Sequence, residues 1–336
     1  MKKTLSLLLV IVLLIGGFVY LGNVVKEKNS NSDLRVSIIV PYEAGDKSYS
    51  ASAREGSDRL TEYGVNVSFV ECKGLDYKRQ MMETAAQSDL VVCVGSEFWE
   101  IAEVTQEFPS VNFMWIGDTV ESPQDYKNLL NVVFAQNEGA YMAGYVAAAM
   151  SKTGVIGCVL ENEDNASKNL IAGFTQGATQ VNEKIKIVVN YAEGNYGDEQ
   201  LGERLATELH LQGADIIYHI TGKTGEGVIK TAKEQNFFTI GLGRDTRIDY
   251  PEYQDVILCS VKEEVGQLIY TLVNNYYDYG TFDGGQKLSA DCSRRYISIG
   301  FGASDSSQLL ARDLRSELSV IKQRIVNREI KVKTAQ

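Results

Sequence analysis

From Leu34 onward, short apolar runs alternate with amphipathic stretches along this chain. Val36–Val40 (VSIIV) is a β-branched run of the kind that is buried on both faces of a parallel sheet. Helical spacing over Ser48–Tyr63 follows it, and Val65–Glu71 then alternates like a strand. Tyr77–Gln87 and Phe98–Phe108 read as helices, Leu90–Val94 and Asn112–Ile116 as strands. The second half repeats the theme. Strands are predicted at Val155–Leu160, Ile185–Tyr191, Asp215–His219, Phe237–Leu242 and Val256–Val261. Helices are predicted at Glu138–Met150, Ser167–Val181, Gly197–Gln212, Gly225–Gln235, Glu264–Tyr276 and Leu314–Ile325.

Regular strand–helix alternation implies an α/β fold with parallel sheets covered on both faces. Roughly ten strands would overfill one sheet of this kind, so two similar sheets with a break near Asn131–Asn137 are expected. Ligands of open α/β sheets bind beyond the carboxyl ends of the strands. Two such sheets facing each other would enclose a cleft lined by strand-to-helix loops.

Five loops in such positions carry polar or aromatic side chains. The segment 41–50 offers Asp46 or Ser48 as a helix cap, with Tyr49 and Ser50 in the first turn. Asp118 follows a strand and either caps a turn or accepts hydrogen bonds from a ligand. Tyr196, between glycines in Gly194-Asn195-Tyr196-Gly197, can stack on a flat ligand. Thr221-Gly222-Lys223-Thr224-Gly225 is glycine-rich but lacks the order of a phosphate loop, so nucleotide hydrolysis is not expected. Its exposed amides can still hold an oxyanion or hydroxyl. Lys262 ends the strand at Val256–Val261 and is a candidate donor.

The N-terminus changes the cellular picture. Lys2 and Lys3 precede an uncharged run, Leu5–Val25, that is long for a cleaved signal and close to a bilayer span. No small-x-small cleavage site follows, and Asn23 stands where a lipoprotein signal would place cysteine. Residues 1–25 are therefore expected to be an uncleaved anchor, with the lysines cytoplasmic, or else a signal cut at an atypical site, and 26–33 a polar tether. A net charge of −11 disfavours nucleic-acid binding. Two histidines and no Cys/His cluster argue against a zinc site. Five cysteines, three in apolar runs, read as small core residues, with one pair involving Cys72 or Cys292 as the sharper reading. No nucleophile elbow and no His-Glu-x-x-His appear, so neither an enzyme nor a cofactor is expected.

Several strings stand out in order along the chain: Asn131-Val132-Val133-Phe134, Asn137-Glu138-Gly139-Ala140-Tyr141-Met142-Ala143-Gly144, and Lys152-Thr153-Gly154-Val155-Ile156-Gly157. Gly173-Phe174-x-x-Gly177-Ala178, Gly213-Ala214-Asp215-Ile216-Ile217-Tyr218 and Thr224-Gly225-x-Gly227-Val228 follow, and the segment Ile321–Val332 closes the series. Together they resemble the basic membrane protein family, the nucleoside-binding receptors of ABC importers, in which the last segment is similar to a C-terminal helix and strand.

The resemblance implies a periplasmic-binding-protein-like type I fold, two Rossmann-like lobes that close on a ligand about a hinge. The first lobe would comprise 34–133 with 264–290, the second 134–263 with 291–336. It implies that Tyr49 and Tyr196 sandwich a purine, with Ser50, Asp118 and Lys262 among its polar partners. It also implies an ABC permease partner and a monomer. The sequence departs from the family where Val40-Pro41 and Gly241-Leu242-Gly243 replace carboxylate-bearing turns. Asp245 is the candidate substitute for the second, beside Arg244. These departures, with the missing lipobox, leave a membrane-anchored sensor or regulator of the same fold as the alternative.

Overall fold

The computed structural model describes residues 33–41, 49–195, 197–303 and 308–335. The expected anchor at 1–25, nearly all of the tether, Asp46 and Tyr196 lie outside the described residues. Among the described residues, no helix is long and apolar enough to cross a membrane.

The chain builds two six-stranded sheets. The first contains β1 (Arg35–Val40), β2 (Asn66–Glu71), β3 (Leu90–Val94), β4 (Asn112–Ile116), β5 (Leu129–Phe134) and β11 (Gln286–Ala290), in the order β2-β1-β3-β4-β5-β11. All five of its pairings are parallel. The second contains β6 (Val155–Leu160), β7 (Lys186–Tyr191), β8 (Ile216–His219), β9 (Phe238–Gly243), β10 (Ile257–Glu263) and β12 (Ile297–Gly300). Its order, β7-β6-β8-β9-β10-β12, repeats that of the first, except that β12 joins antiparallel. Strands such as β3 (LVVCV) are buried at every position, as sheets covered on both faces require. This is the mostly parallel, two-sheet α/β architecture expected of binding-protein-like folds.

The helices are α1 (Tyr49–Tyr63), α2 (Tyr77–Ala85), α3 (Ile101–Glu107), α4 (Gln136–Met150), α5 (Asn165–Val181), α6 (Glu199–Leu211), α7 (Thr224–Gln235), α8 (Thr246–Asp249), α9 (Val265–Tyr279) and α10 (Arg312–Val326). Three chain passages join the sheets. β5 leaves the first sheet into α4, β10 leaves the second into α9, and β11 leads through 291–296 into β12.

Glycines let the paired helices touch backbone to backbone. A Cβ on Gly144 would lie 2.0 Å from the Phe174 carbonyl oxygen, and one on Gly177 only 1.9 Å from that of Tyr141. The motif glycines of α4 and α5 are thus the seam between these helices. α1 and α9 meet in the same way: a Cβ on Gly56 would lie 2.6 Å from the Gly266 carbonyl oxygen. Ser52 Oγ accepts the Gly266 amide at 3.1 Å. The Gly-Ala-Asp string also proves architectural. Asp215 accepts from Ser151 Oγ at 2.7 Å and from the Lys152 and Thr153 amides at 2.6 and 3.0 Å, tying the end of α4 to the start of β8.

Several elements differ from the sequence reading. The stretch read as a break contains the end of β5, and the polarity of Asn131 disguises it. Asn131 is fully buried, and its side chain accepts the Val120 amide at 3.1 Å and donates to Gln286 O at 3.3 Å. β11 is an edge strand with little apolar content, and β12 has four residues, so neither shows an apolar pattern. The C-terminal strand expected within 321–332 is absent. That segment instead lies beside α5, fastened by Gln176 to Lys331 O and the Lys333 amide at 3.1 and 2.8 Å. All five cysteines are free thiols, and Cys93, Cys158, Cys259 and Cys292 are buried, so no pair forms.

Two stability outcomes follow from these contacts. Gly177→Ala forces α4 and α5 apart and is expected to cost about 1–3 kcal/mol in chemical denaturation, the range for overpacking. Asp215→Ala leaves two backbone amides and a hydroxyl without their acceptor, and a loss of about 1–3 kcal/mol is expected in the same measurement.

Candidate functional site

In each sheet the strand order reverses between the first strand and its third, β1/β3 and β6/β8. Crevices of doubly wound folds open at the carboxyl ends of strands at such points. The residues that leave these ends form the candidate site.

On the first lobe, Gly95 and Gly117 end β3 and β4 at φ of +126° and +123°, a region that favours glycine. Trp115 Nε1 donates to Gly95 O at 2.8 Å, holding the two turns together. Asn131 holds the loop after Asp118 through the Val120 amide. Asp118 itself is exposed, and its Oδ1 accepts the Thr119 amide at 2.8 Å. It therefore caps its own turn and still presents a carboxylate. Pro41 is buried at the end of β1.

Tyr49 and Ser50 begin α1. Ser50 is buried at 1% exposure, packed into its lobe. Tyr49 is half-buried and reaches toward the second sheet. Its ring centroid lies 6.0 Å from that of Phe134, the last residue of β5. A Cβ on Gly243, at the end of β9, would lie 3.9 Å from Tyr49 Cε1. The resemblance leads one to expect a carboxylate at that position; a side chain there would come into ordinary van der Waals contact with the ring. The phenol of Tyr49 donates to Glu263 Oε2, on the last residue of β10.

On the second lobe, β8 ends at His219, 6% exposed, and Thr221 follows at 2%. Neither His219 Nε2 nor Thr221 Oγ1 has a hydrogen-bond partner among the described residues. Burial pushes the His219 imidazole down to about 4, so the ring is neutral at physiological pH. Gly222 is exposed, with φ of +52°. Thr224 Oγ1, at the start of α7, donates to Asn195 O at 2.7 Å and accepts the Asp198 amide at 3.0 Å. The loop on either side of Tyr196 is thereby fixed to the Thr221–Gly225 turn.

Lys262 and Asp245 are engaged elsewhere. Lys262 Nζ pairs with Glu264 Oε1 at 2.9 Å. Asp245, at 9% exposure, accepts the Gly302 amide at 3.0 Å. Arg244 links the end of β9 to α1, bonding Glu55 Oε1 at 2.7 Å and Asp249 Oδ2 at 3.0 Å.

Glu263 and His219 are the site residues that the sequence reading missed. The signal for Glu263 was the period of two in a strand. Glu263 lies on the same side of β10 as buried Val261, whereas Lys262 lies on the other. A separate cavity of about 270 Å³, lined by Met114, Leu130, Leu272, Tyr279 and Phe282, lies at the far end of α9, away from these strand ends. Among the described residues, no group of His, Cys, Asp or Glu is placed to hold a metal ion.

Comparison with known proteins fits this geometry. Residues 34–336 match the Bmp family, described as ABC transporter substrate-binding protein PnrA-like. Basic membrane protein A of Borreliella burgdorferi is 28% identical over 301 residues, 88% of this chain and 86% of that protein. Basic membrane protein D of the same species (strain JD1) is 32% identical over 258 residues, 75% of this chain and 74% of that protein. The fold is similar to a solved ABC transporter solute-binding protein from Aeropyrum pernix K1, with a TM-score of 0.76 at 21% identity, covering 90% of this chain and 94% of that one. With the match running from β1 through both sheets, this chain belongs to the Bmp family of ABC transporter substrate-binding proteins.

Proposed function

We propose that this chain is the extracytoplasmic, membrane-tethered receptor of an ABC importer and that it closes its two lobes on a nucleoside, a purine nucleoside above others. The carrying observation is Tyr49. Its aromatic ring stands between the lobes, beside Phe134 and across from the bare Cα of Gly243. A flat base stacked on that face gains contact area at small entropic cost.

Tyr196 is the candidate for the opposite face. Asp118 supplies an exposed carboxylate, and the Thr221–Gly222 turn supplies a buried hydroxyl with no partner among the described residues. Ser50, at the start of α1, and Asp46, outside the described residues, are the remaining polar candidates. Lys262 and Asp245 join them only by exchanging their present partners, Glu264 and the Gly302 amide. The importer's membrane permease is the partner that such a receptor serves.

Isothermal titration of the full-length chain in detergent with a panel of nucleosides tests this reading. A dissociation constant of about 1 μM or tighter is expected for at least one purine nucleoside. Absence of binding to every purine and pyrimidine nucleoside would refute it. Tyr49→Ala is expected to weaken that binding by roughly 5- to 150-fold, the worth of one base–aromatic stack; Tyr49→Phe, which keeps the ring, is expected to retain most of that affinity.

A further inference from the structure

Glu263 ends β10, where the chain leaves the second sheet for α9. It is 2% exposed. One carboxyl oxygen, Oε2, accepts from Tyr49, while Oε1 has no hydrogen-bond partner among the described residues.

The charged groups around it are matched to others. Lys262 and Glu264, its neighbours in the chain, pair with each other at 2.9 Å. From the end of β9, Arg244 bonds Glu55 and Asp249, and Asp245 bonds the Gly302 amide. From α4, Glu138 accepts the Cys292 amide at 2.8 Å. β12 places Ile297 opposite Glu263 in the antiparallel register. Tyr49 is the titratable group that α1 brings to it.

A buried carboxyl without a neighbouring cation stays protonated rather than carrying a charge into an apolar surrounding. Burial pushes this one up to about 8. Because Oε2 accepts from Tyr49, the proton resides on Oε1. Oε1–H is then a buried donor in need of an acceptor. It lies at the hydroxyl edge of the Tyr49 ring, and so at the edge of any base stacked on that ring.

We propose that Glu263 is a specificity-determining binding residue: its neutral carboxyl donates from Oε1 to a carbonyl oxygen of the bound base, so that the site takes keto nucleosides in preference to their amino counterparts. The proposal rests on the nucleoside reading above. Opening of the lobes parts Tyr49 from Glu263 and admits the base edge; closure restores the contact around it. An amino base would set its own N–H against Oε1–H, leaving two buried donors without an acceptor.

The test compares inosine with adenosine, and uridine with cytidine, on the full-length chain by titration calorimetry near pH 6.5 and pH 8.5. The keto member of each pair is expected to bind about tenfold or more tightly at the lower pH. The ligand holds the protonated carboxyl, so the bound group titrates above its free value. Affinity is therefore complete below about 8 and declines above it, by about fourfold between the two conditions. Glu263→Gln keeps an N–H donor in the same place. It is expected to retain the keto preference and to lose that decline, which separates the carboxyl from the titration of Tyr49 or of the base. Glu263→Leu is expected to abolish the preference, with melting curves confirming that each variant is folded. Equal affinity for keto and amino partners in the unmodified chain overturns the proposal and leaves the nucleoside reading intact. So does a Glu263→Gln variant whose affinity falls with pH as the parent's does. Failure of all four nucleosides to bind overturns both.

Discussion

The chain passes three times between its two sheets, and the candidate site is assembled where it does so. β5 ends at Phe134 before crossing, and β10 ends at Glu263 before crossing. Both residues meet Tyr49 of α1. α1 is in turn held by α9, the helix that β10 becomes, through the Gly56–Gly266 approach and the Ser52–Gly266 hydrogen bond. Tyr49, Glu263 and the crossing from β10 into α9 are therefore packed together as one unit. These contacts join elements of both sheets where the chain crosses between them.

A second bridge, Arg244 to Glu55, crosses nearer to solvent. The glutamate side chain is 61% exposed, so the pair is screened and contributes little to holding the lobes together. Glu263, by contrast, is shielded from solvent.

The motifs that carry the family resemblance are mostly structural. Gly144, Gly173 and Gly177 set how closely α4 and α5 approach. Asp215 gathers the amides of the turn after α4, and Thr224 secures the loop around Asn195. A string of such residues identifies the scaffold because each removes steric or polar conflict at a fixed place in it. At Pro41 and Gly243, where the resemblance leads one to expect carboxylates, this chain has none.

The alternation of apolar runs and helical spacing was enough to determine the parallel two-sheet α/β fold, because a strand buried on both faces must be apolar throughout. It also placed β3, β4 and β6 at their observed ends. β5 was obscured by a buried asparagine whose partners come from the β4–β5 connection and β11, and β11 and β12 depend on neighbours distant in sequence. Tyr49 and Thr221 were legible as loop residues beyond strand ends. Only the tertiary structure decided that Lys262 turns to Glu264, that Asp245 holds Gly302, and that Glu263 is the buried group beside Tyr49. Sequence gives each residue's chemistry and its side of a strand. The partner that satisfies or desolvates it is brought from the other lobe by folding.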